Sequence, residues 1–419
     1  MSAFDLSVLF FLQMAFILGV CRVVGIIFKK IGQSQVVSEM IAGVVIGPSL
    51  MGMVFPEFSA YLFPAASKPI LFSVAQVGLV LYMFLVGVEF DIDMIRSRIR
   101  SAASVSLAGI LAPFVLGAGL AFYLAGDTAL FSSKTTPVQA MLFMGAAMSI
   151  TAFPMLARII MEQGLSKTSL GTLALAAGAI DDAAAWCVLA LVLASFQNEP
   201  MLAVYAIGGG IGFAILALTV IKRLLVPLGK TVERDGQMSS DMLLLVLMCV
   251  MLGAWFTDYI QIYAVFGAFI MGIAMPRGKF ASELHRMIHP LTTAFLLPVF
   301  FVYSGLNTKI GLVNTPYLWM LTLVVLLAAT VGKGVACYGA ARLNGEPHRE
   351  AMAVGTLMNA RGLMELIILN IGLQRGIIEP ALFAIMVMMA IITTLVATPL
   401  FERIYGSKAK RLPGANAPA

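Results

Sequence analysis

The segment GAIDDAAAW (178–186) sets two carboxylates side by side, Asp181 and Asp182, in a run from Leu170 to Phe196 that holds no other charge. Adjacent residues on a helix lie about 100° apart, so one cation does not neutralise both acids equally. A lysine that pairs with one acid leaves its neighbour available for an exchangeable ion. Burial and a nearby ammonium then act unequally on the two, which sets their proton affinities apart. The product is a carboxylate able to trade a proton for a metal cation. The alternative is a structural ion pair that locks helices together.

Five more charges stand in apolar surroundings: Arg22, Glu39, Lys333, Arg361 and Glu365. A charge at the bilayer centre costs about 2.5–3.5 kcal/mol on insertion scales, so the Asp pair and Lys333 alone would cost roughly 8–10 kcal/mol unpaired. They must face a cavity or one another. Lys333 lies deep in its run, where snorkelling is difficult, and calls for a partner. Arg361, in LMNARGLMELIILNIG, has three options: it offsets the carbonyl end of its own helix, pairs with Glu365 one turn on, or pairs with Glu39. For these three residues an architectural and a transport role are both open. Arg22 can snorkel and is assigned no role.

The elements that hold these groups follow from composition. The chain has 419 residues, of which 60% are hydrophobic and 11% charged, with a mean hydropathy of +0.97. Soluble globular chains carry about 25% charged residues. Apolar runs of about 20 residues recur along the whole length, the signature of membrane-spanning helices. The shorter alternating segments of a membrane barrel are not seen. The chain is therefore read as an all-α polytopic membrane protein. Its thirteen spans run approximately over 6–28, 35–54, 69–90, 102–124, 138–161, 169–196, 201–221, 240–257, 261–275, 286–305, 316–341, 348–371 and 380–402.

Cys21, Cys187, Cys249 and Cys337 fall in apolar runs and read as packing residues. His285, His289 and His348 read as ordinary surface histidines in loops, and no signal peptide is expected at the N-terminus. Of the 27 Lys and Arg, twenty fall in loops after odd-numbered spans or in the tail; only Lys68, Lys134, Lys309 and Arg375 follow even-numbered spans. The positive-inside rule puts the C-terminus in the cytoplasm and the N-terminus outside. The same bias explains the net charge of +6 without nucleic acid as a partner.

The two ends of the chain align. VGVEFDI (86–92) matches SGLNTKI (304–310), GAAMSITAFP (145–154) matches GTLMNARGLM (355–364), and GAIDDAAA (178–185) matches MAIITTLVA (389–397) at an offset of about 212. The repeat unit is six spans, and the seventh span separates the copies. A shift of seven spans is odd, so the repeats are inverted, as in many secondary transporters. They cover approximately 1–197 and 238–405 within one transmembrane domain of residues 1–405, with a linker helix at about 200–222 and a short basic tail at 406–419. The fifth and twelfth spans carry helix interrupters, Thr151 and Pro154 in one, Asn359 and Gly362 in the other. Broken helices aim their dipole ends at a site near the bilayer centre.

SEMIAGVVIGPS (38–49), MSITAFPMLARII (148–160), GAIDDAAAW and MNARGLMELIILNIG (358–372) together resemble the monovalent cation:proton antiporter-2 family over the whole chain. The resemblance implies a core domain of crossed discontinuous helices, a dimerisation domain, an elevator-type alternation and a homodimer in a bacterial inner (plasma) membrane. It implies that Asp182 binds the cation or proton, that Asp181 pairs with Lys333, and that Thr151 is the threonine of the helix crossing. Arg361 would then compensate charge, with Glu39 and Glu365 in supporting ion pairs. No cofactor is expected beyond the transported Na+ or K+ and H+. The Asp-Asp-Lys set suggests sodium; the MNARGLMELI sequence suggests potassium-type relatives. Many relatives add a nucleotide-binding regulatory domain; the roughly 18 residues after Phe401 are too few to fold into one and are expected to face anionic lipid. Two rival readings remain: an intramembrane aspartyl protease, which needs its two acids on different helices, and a K+ efflux or channel-like subunit.

Overall fold

The computed structural model describes residues 2–30, 33, 35–90, 98–165, 168–197, 200–260, 262–306 and 310–409. In chain order the helices are α1 (Ala3–Lys29), α2 (Gln35–Ile46), α3 (Met51–Val54), α4 (Pro56–Leu62), α5 (Lys68–Glu89), α6 (Ile99–Leu124), α7 (Pro137–Ser149), α8 (Phe153–Glu162), α9 (Ser169–Gln197) and α10 (Pro200–Leu216). They continue with α11 (Lys222–Asp235), α12 (Ser240–Tyr259), α13 (Ala264–Ala274), α14 (Lys279–Leu291), α15 (Leu297–Leu306), α16 (Pro316–Leu343), α17 (His348–Leu357), α18 (Leu363–Gln374) and α19 (Pro380–Ala409). Nine helical stretches among the described residues are long and apolar enough to cross a membrane.

Local chemistry explains several helix starts. Thr136 caps α7 by accepting from Gln139 N, while Gln139 Oε1 accepts from Thr136 N, and Pro137 fills the first turn without needing a donor. Thr315 Oγ1 accepts from Leu318 N at the start of α16, with Pro316 in its first turn, and Ser239 caps α12.

The helices fall on the apolar runs, with three differences from the sequence-based boundaries. The seventh run does not end near residue 222: a π-helical stretch, Ala217–Ile221, leads straight into α11, which stays helical to Asp235. Charged residues there occupy one face while Leu225, Gly229 and Val232 are buried on the other, so charge marks an amphipathic helix and not a loop. The tenth run begins earlier, at Lys279, and passes through a second π-helical stretch, Thr292–Leu296, just after Pro290. That earlier start corrects the histidines. His285 and His289 are one turn apart on α14 with stacked rings 4.3 Å between centroids, His285 lies 2.9 Å from Glu89, and His348 is the first residue of α17. Finally α19 continues past residue 405 to Ala409; residues 410–419 of the tail, like parts of the 86–92 and 304–310 match, lie outside the described residues.

The chain packs as two units. The first comprises Met1–Arg22, Val54–Ile92 and Leu193–Tyr303. Its core is aliphatic and aromatic, with Phe84, Val246, Val250, Ala268 and Phe280 fully buried. The second comprises Val23–Met53, Asp93–Val192 and Ser304–Ala419. Here Leu156, Leu173, Ala174, Cys337, Val354 and Phe401 form the core, and the buried charges among the described residues belong to this unit. None of the four cysteines forms a disulfide among the described residues.

Candidate cation site

Two helices of the second unit are interrupted at the middle of their runs. Between α7 and α8 the backbone of Ile150 and Ala152 is extended, and Pro154 in the first turn of α8 has no N–H to carry the ladder across. Between α17 and α18 the chain unwinds over residues 358–362, ending at Gly362. The two breaks touch. Ala152 N donates to Ala360 O at 3.1 Å, and Thr151 Oγ1 donates to Met358 O at 3.3 Å. A Cβ on Gly362 would stand 2.8 Å from Met155 Cγ and 3.1 Å from Ala152 Cβ, so only glycine allows the approach. These are crossed discontinuous helices.

The buried charges surround this crossing. Lys333, fully buried on α16, donates to Asp181 Oδ2 at 3.0 Å and also to the carbonyl of Ser149, at the end of α7. Gly334 and Gly355 let α16 and α17 meet backbone to backbone, since a Cβ on Gly355 would come 2.6 Å from Gly334 O. Asp181, also fully buried, has Ser106 Oγ of α6 at 3.5 Å from its other oxygen. Asp182 is 8% exposed. The lysine is thus committed to one acid of the pair.

Arg361 is fully buried in the second break. Its Nη2 donates to Met148 O at 2.7 Å, and its Nη1 lies 3.5 Å from both Ala147 O and Ile150 O. The carbonyl end that it offsets is therefore that of α7, not that of its own interrupted helix. The reason is the crossing, which brings a foreign helix end closer than the chain's own. Its ion pair goes to Glu365, at 3.6 Å. Glu39, buried on α2, accepts from Gln35 Nε2 at 2.9 Å. Arg22 is exposed on α1. Among the described residues no group of three or more His, Cys, Asp or Glu could hold a resident metal ion.

The transmembrane sodium/hydrogen exchanger family model matches residues 15–405. The chain belongs to the sodium/hydrogen exchanger family. It is 40% identical to the Na(+)/H(+) antiporter NhaS4 of Synechocystis, over 94% of this chain and 96% of that one. It is 37% identical to cation/H(+) antiporter 20 of Arabidopsis thaliana, over 95% of this chain but 48% of the plant protein, so it spans about half that relative. Its fold is similar to that of the sodium proton antiporter MjNhaP1 from Methanocaldococcus jannaschii, with a TM-score of 0.65 at 14% identity, covering 96% of this chain and 98% of that one. The resemblance carried by the four motifs is borne out, as is an integral membrane protein of sodium/proton antiporter fold. The exchangers are transporters and not enzymes, which removes the protease reading. Geometry agrees, since both aspartates project from α9.

Sequence reasoning missed Ser106, Ser149 and Thr394. Thr394, fully buried on α19, accepts from Arg361 N at 3.0 Å, and its hydroxyl has Arg361 O at 2.7 Å and Ala390 O at 2.8 Å as acceptors, which stitches the second break to α19. The repeat gave no signal for it: the shared Ala-Ile, Ala179-Ile180 with Ala390-Ile391, sets Thr393 and not Thr394 opposite Asp182.

Proposed function

We propose that the chain exchanges a monovalent cation, Na+ or K+, for protons, with Asp182 as the carboxylate that holds cation and proton in turn. The observation that carries this is the commitment of Lys333 to Asp181. It makes two adjacent acids chemically different, one a fixed partner and one a carrier. A single carboxylate that takes either a proton or a cation, but not both, couples the two fluxes when the site changes sides only with one of them bound. The relatives' names, Na(+)/H(+) and cation/H(+) antiporters, support the same exchange.

The charged groups at the crossing all belong to the second unit. That suits an elevator-type alternation, in which the site travels as one body between the two sides. The inverted repeats, a homodimer, a bacterial inner membrane and a cytoplasmic C-terminus belong to the same reading, the last supported by the distribution of Lys and Arg. A channel remains the rival for flux alone.

Proteoliposomes with an interior pH dye test the proposal. Pulses of Na+, K+ and Li+ to the wild-type protein should give saturable proton movement in the opposite direction. Asp182→Asn keeps the side-chain size and removes the charge that both ions need, so its response should vanish while the protein still folds and inserts. Near-normal exchange by this variant overturns the assignment.

A further inference from the structure

The break between α17 and α18 carries a polar atom that the exchange just described does not use. Asn359 is 6% exposed, a buried amide in a membrane-spanning run. Its Nδ2 donates to Gly355 O at 3.0 Å, closing one carbonyl at the end of α17. That contact identifies the ends of the amide, because a backbone carbonyl only accepts. The other end, Oδ1, accepts no hydrogen bond from any described residue. An acceptor buried in this state costs about 1–3 kcal/mol. Few buried polar atoms are left so, and each calls for a use.

The surroundings indicate the use. A Cβ on Gly334 would stand 2.8 Å from Asn359 Nδ2, so the amide lies against α16 one residue from Lys333. The residue before it, Met358, receives Thr151 Oγ1, and the residue after it, Ala360, receives Ala152 N. Asn359 therefore sits at the crossing itself. On the α7 side of that crossing stand Lys333 and Arg361, whose charged donors already occupy the helix-end carbonyls. On the α17 side, the groups that meet Gly355 O, Met358 O and Ala360 O are an amide, a hydroxyl and a backbone N–H, all neutral. An amide oxygen is a hard, neutral donor of the kind that alkali cations take in place of water.

We propose that Asn359 Oδ1 is a ligand of the transported cation and sets the preference between Na+ and K+. This rests on the exchange proposed above. Number and field strength of the oxygens around an alkali ion decide which size is favoured, and Asn359 contributes one neutral oxygen where Asp182 contributes a charged one.

The test uses the full chain in proteoliposomes, with KM and maximal rate measured separately for Na+ and for K+. Asn359→Ala removes both ends of the amide. It should raise KM by about tenfold for at least one cation and change the ratio of the two KM values, with a smaller effect on maximal rate. Asn359→Asp keeps the oxygen, loses the donor to Gly355 O, and raises the field at the site. It should retain cation-driven exchange and shift the KM ratio towards Na+. If Asn359 only closes the Gly355 carbonyl, both variants lose thermal stability and the KM ratio stays at the wild-type value, which overturns the inference. Should Asn359→Ala fail to fold, the ratio for Asn359→Asp decides alone. A wild-type protein that moves no protons under either pulse sinks the exchange reading instead, so the two failures are distinguishable.

Discussion

The carbonyl ends of α7 and α17 meet at one crossing and are finished in opposite ways. At α7, Arg361 takes Ala147, Met148 and Ile150, and Lys333 takes Ser149. At α17, Asn359, Thr151 and the Ala152 N–H take Gly355, Met358 and Ala360. The two segments align at an offset of 210, so equivalent stretches of chain received different chemistry. A helix C-terminus carries roughly half a negative charge. Two full cations more than cancel it at α7, whereas neutral groups leave it standing at α17. Each cation is in turn matched by an acid, Lys333 by Asp181 and Arg361 by Glu365. Backbone symmetry thus coexists with different finishing chemistry, and a visiting cation meets one helix end whose carbonyls are taken by charged donors and one finished by neutral groups.

The largest effect should come from stripping α7 of its arginine. Arg361→Met removes the guanidinium from three carbonyls and leaves Glu365 buried without its cation. Breaking a buried pair from one side typically costs about 3–5 kcal/mol, and the α7 carbonyls add to that. Thermal unfolding in detergent should show a large loss. Adding Glu365→Leu should recover only part of it, because the α7 carbonyls still lack their donor. If Arg361→Met is as stable as wild type, the α7 end does not need the charge, and the contrast between the two ends loses its energetic meaning.

How much of this was visible in the sequence depends on the kind of feature. A charge in an apolar run declares itself, so Asp181, Asp182, Lys333, Arg361 and Glu365 were legible from composition alone. The breaks were legible from Pro154 and Gly362, because their backbone chemistry is local. The partner of Arg361 was not, since the α7 carbonyls lie more than 200 residues away and nothing local encodes a crossing. Hydroxyls were the least legible. Thr322 and Thr330 bond the carbonyl four residues back, at 2.7 Å each, as threonines in helices commonly do. Thr394 has the carbonyl four residues back at 2.8 Å as well, but it also accepts from the neighbouring break, and in sequence the two behaviours look alike.

A smaller effect is expected at the second cation of α7. Lys333→Gln and Asp181→Asn each break a buried pair, again at about 3–5 kcal/mol at most. The double variant should regain most of the loss, and a larger share than the Arg361 and Glu365 double. Glutamine can still donate to Ser149 O and to an asparagine at 181, so the end of α7 keeps one of its donors. A thermal-unfolding cycle measures this directly. Losses that simply add would show that the two residues do not interact.

The smallest effect should appear at α17, where the finishing groups are neutral. Thr151→Val keeps the shape and deletes the hydrogen bond to Met358 O, which is worth about 1 kcal/mol in thermal stability. Thr151→Ser restores a hydroxyl and should restore the bond. Stability alone does not tell a stitch from a ligand, because Thr151 Oγ1 donates to Met358 O and still keeps lone pairs that a cation can use. The KM for the cation separates the two roles. If Thr151 only joins the breaks, Thr151→Val loses its increment of stability and binds Na+ or K+ as before. If its oxygen faces the cation, KM rises in Thr151→Val and falls back in Thr151→Ser. The α17 end of the crossing would then be built from a hydroxyl as well as carbonyl oxygens, with no cation among its finishing groups.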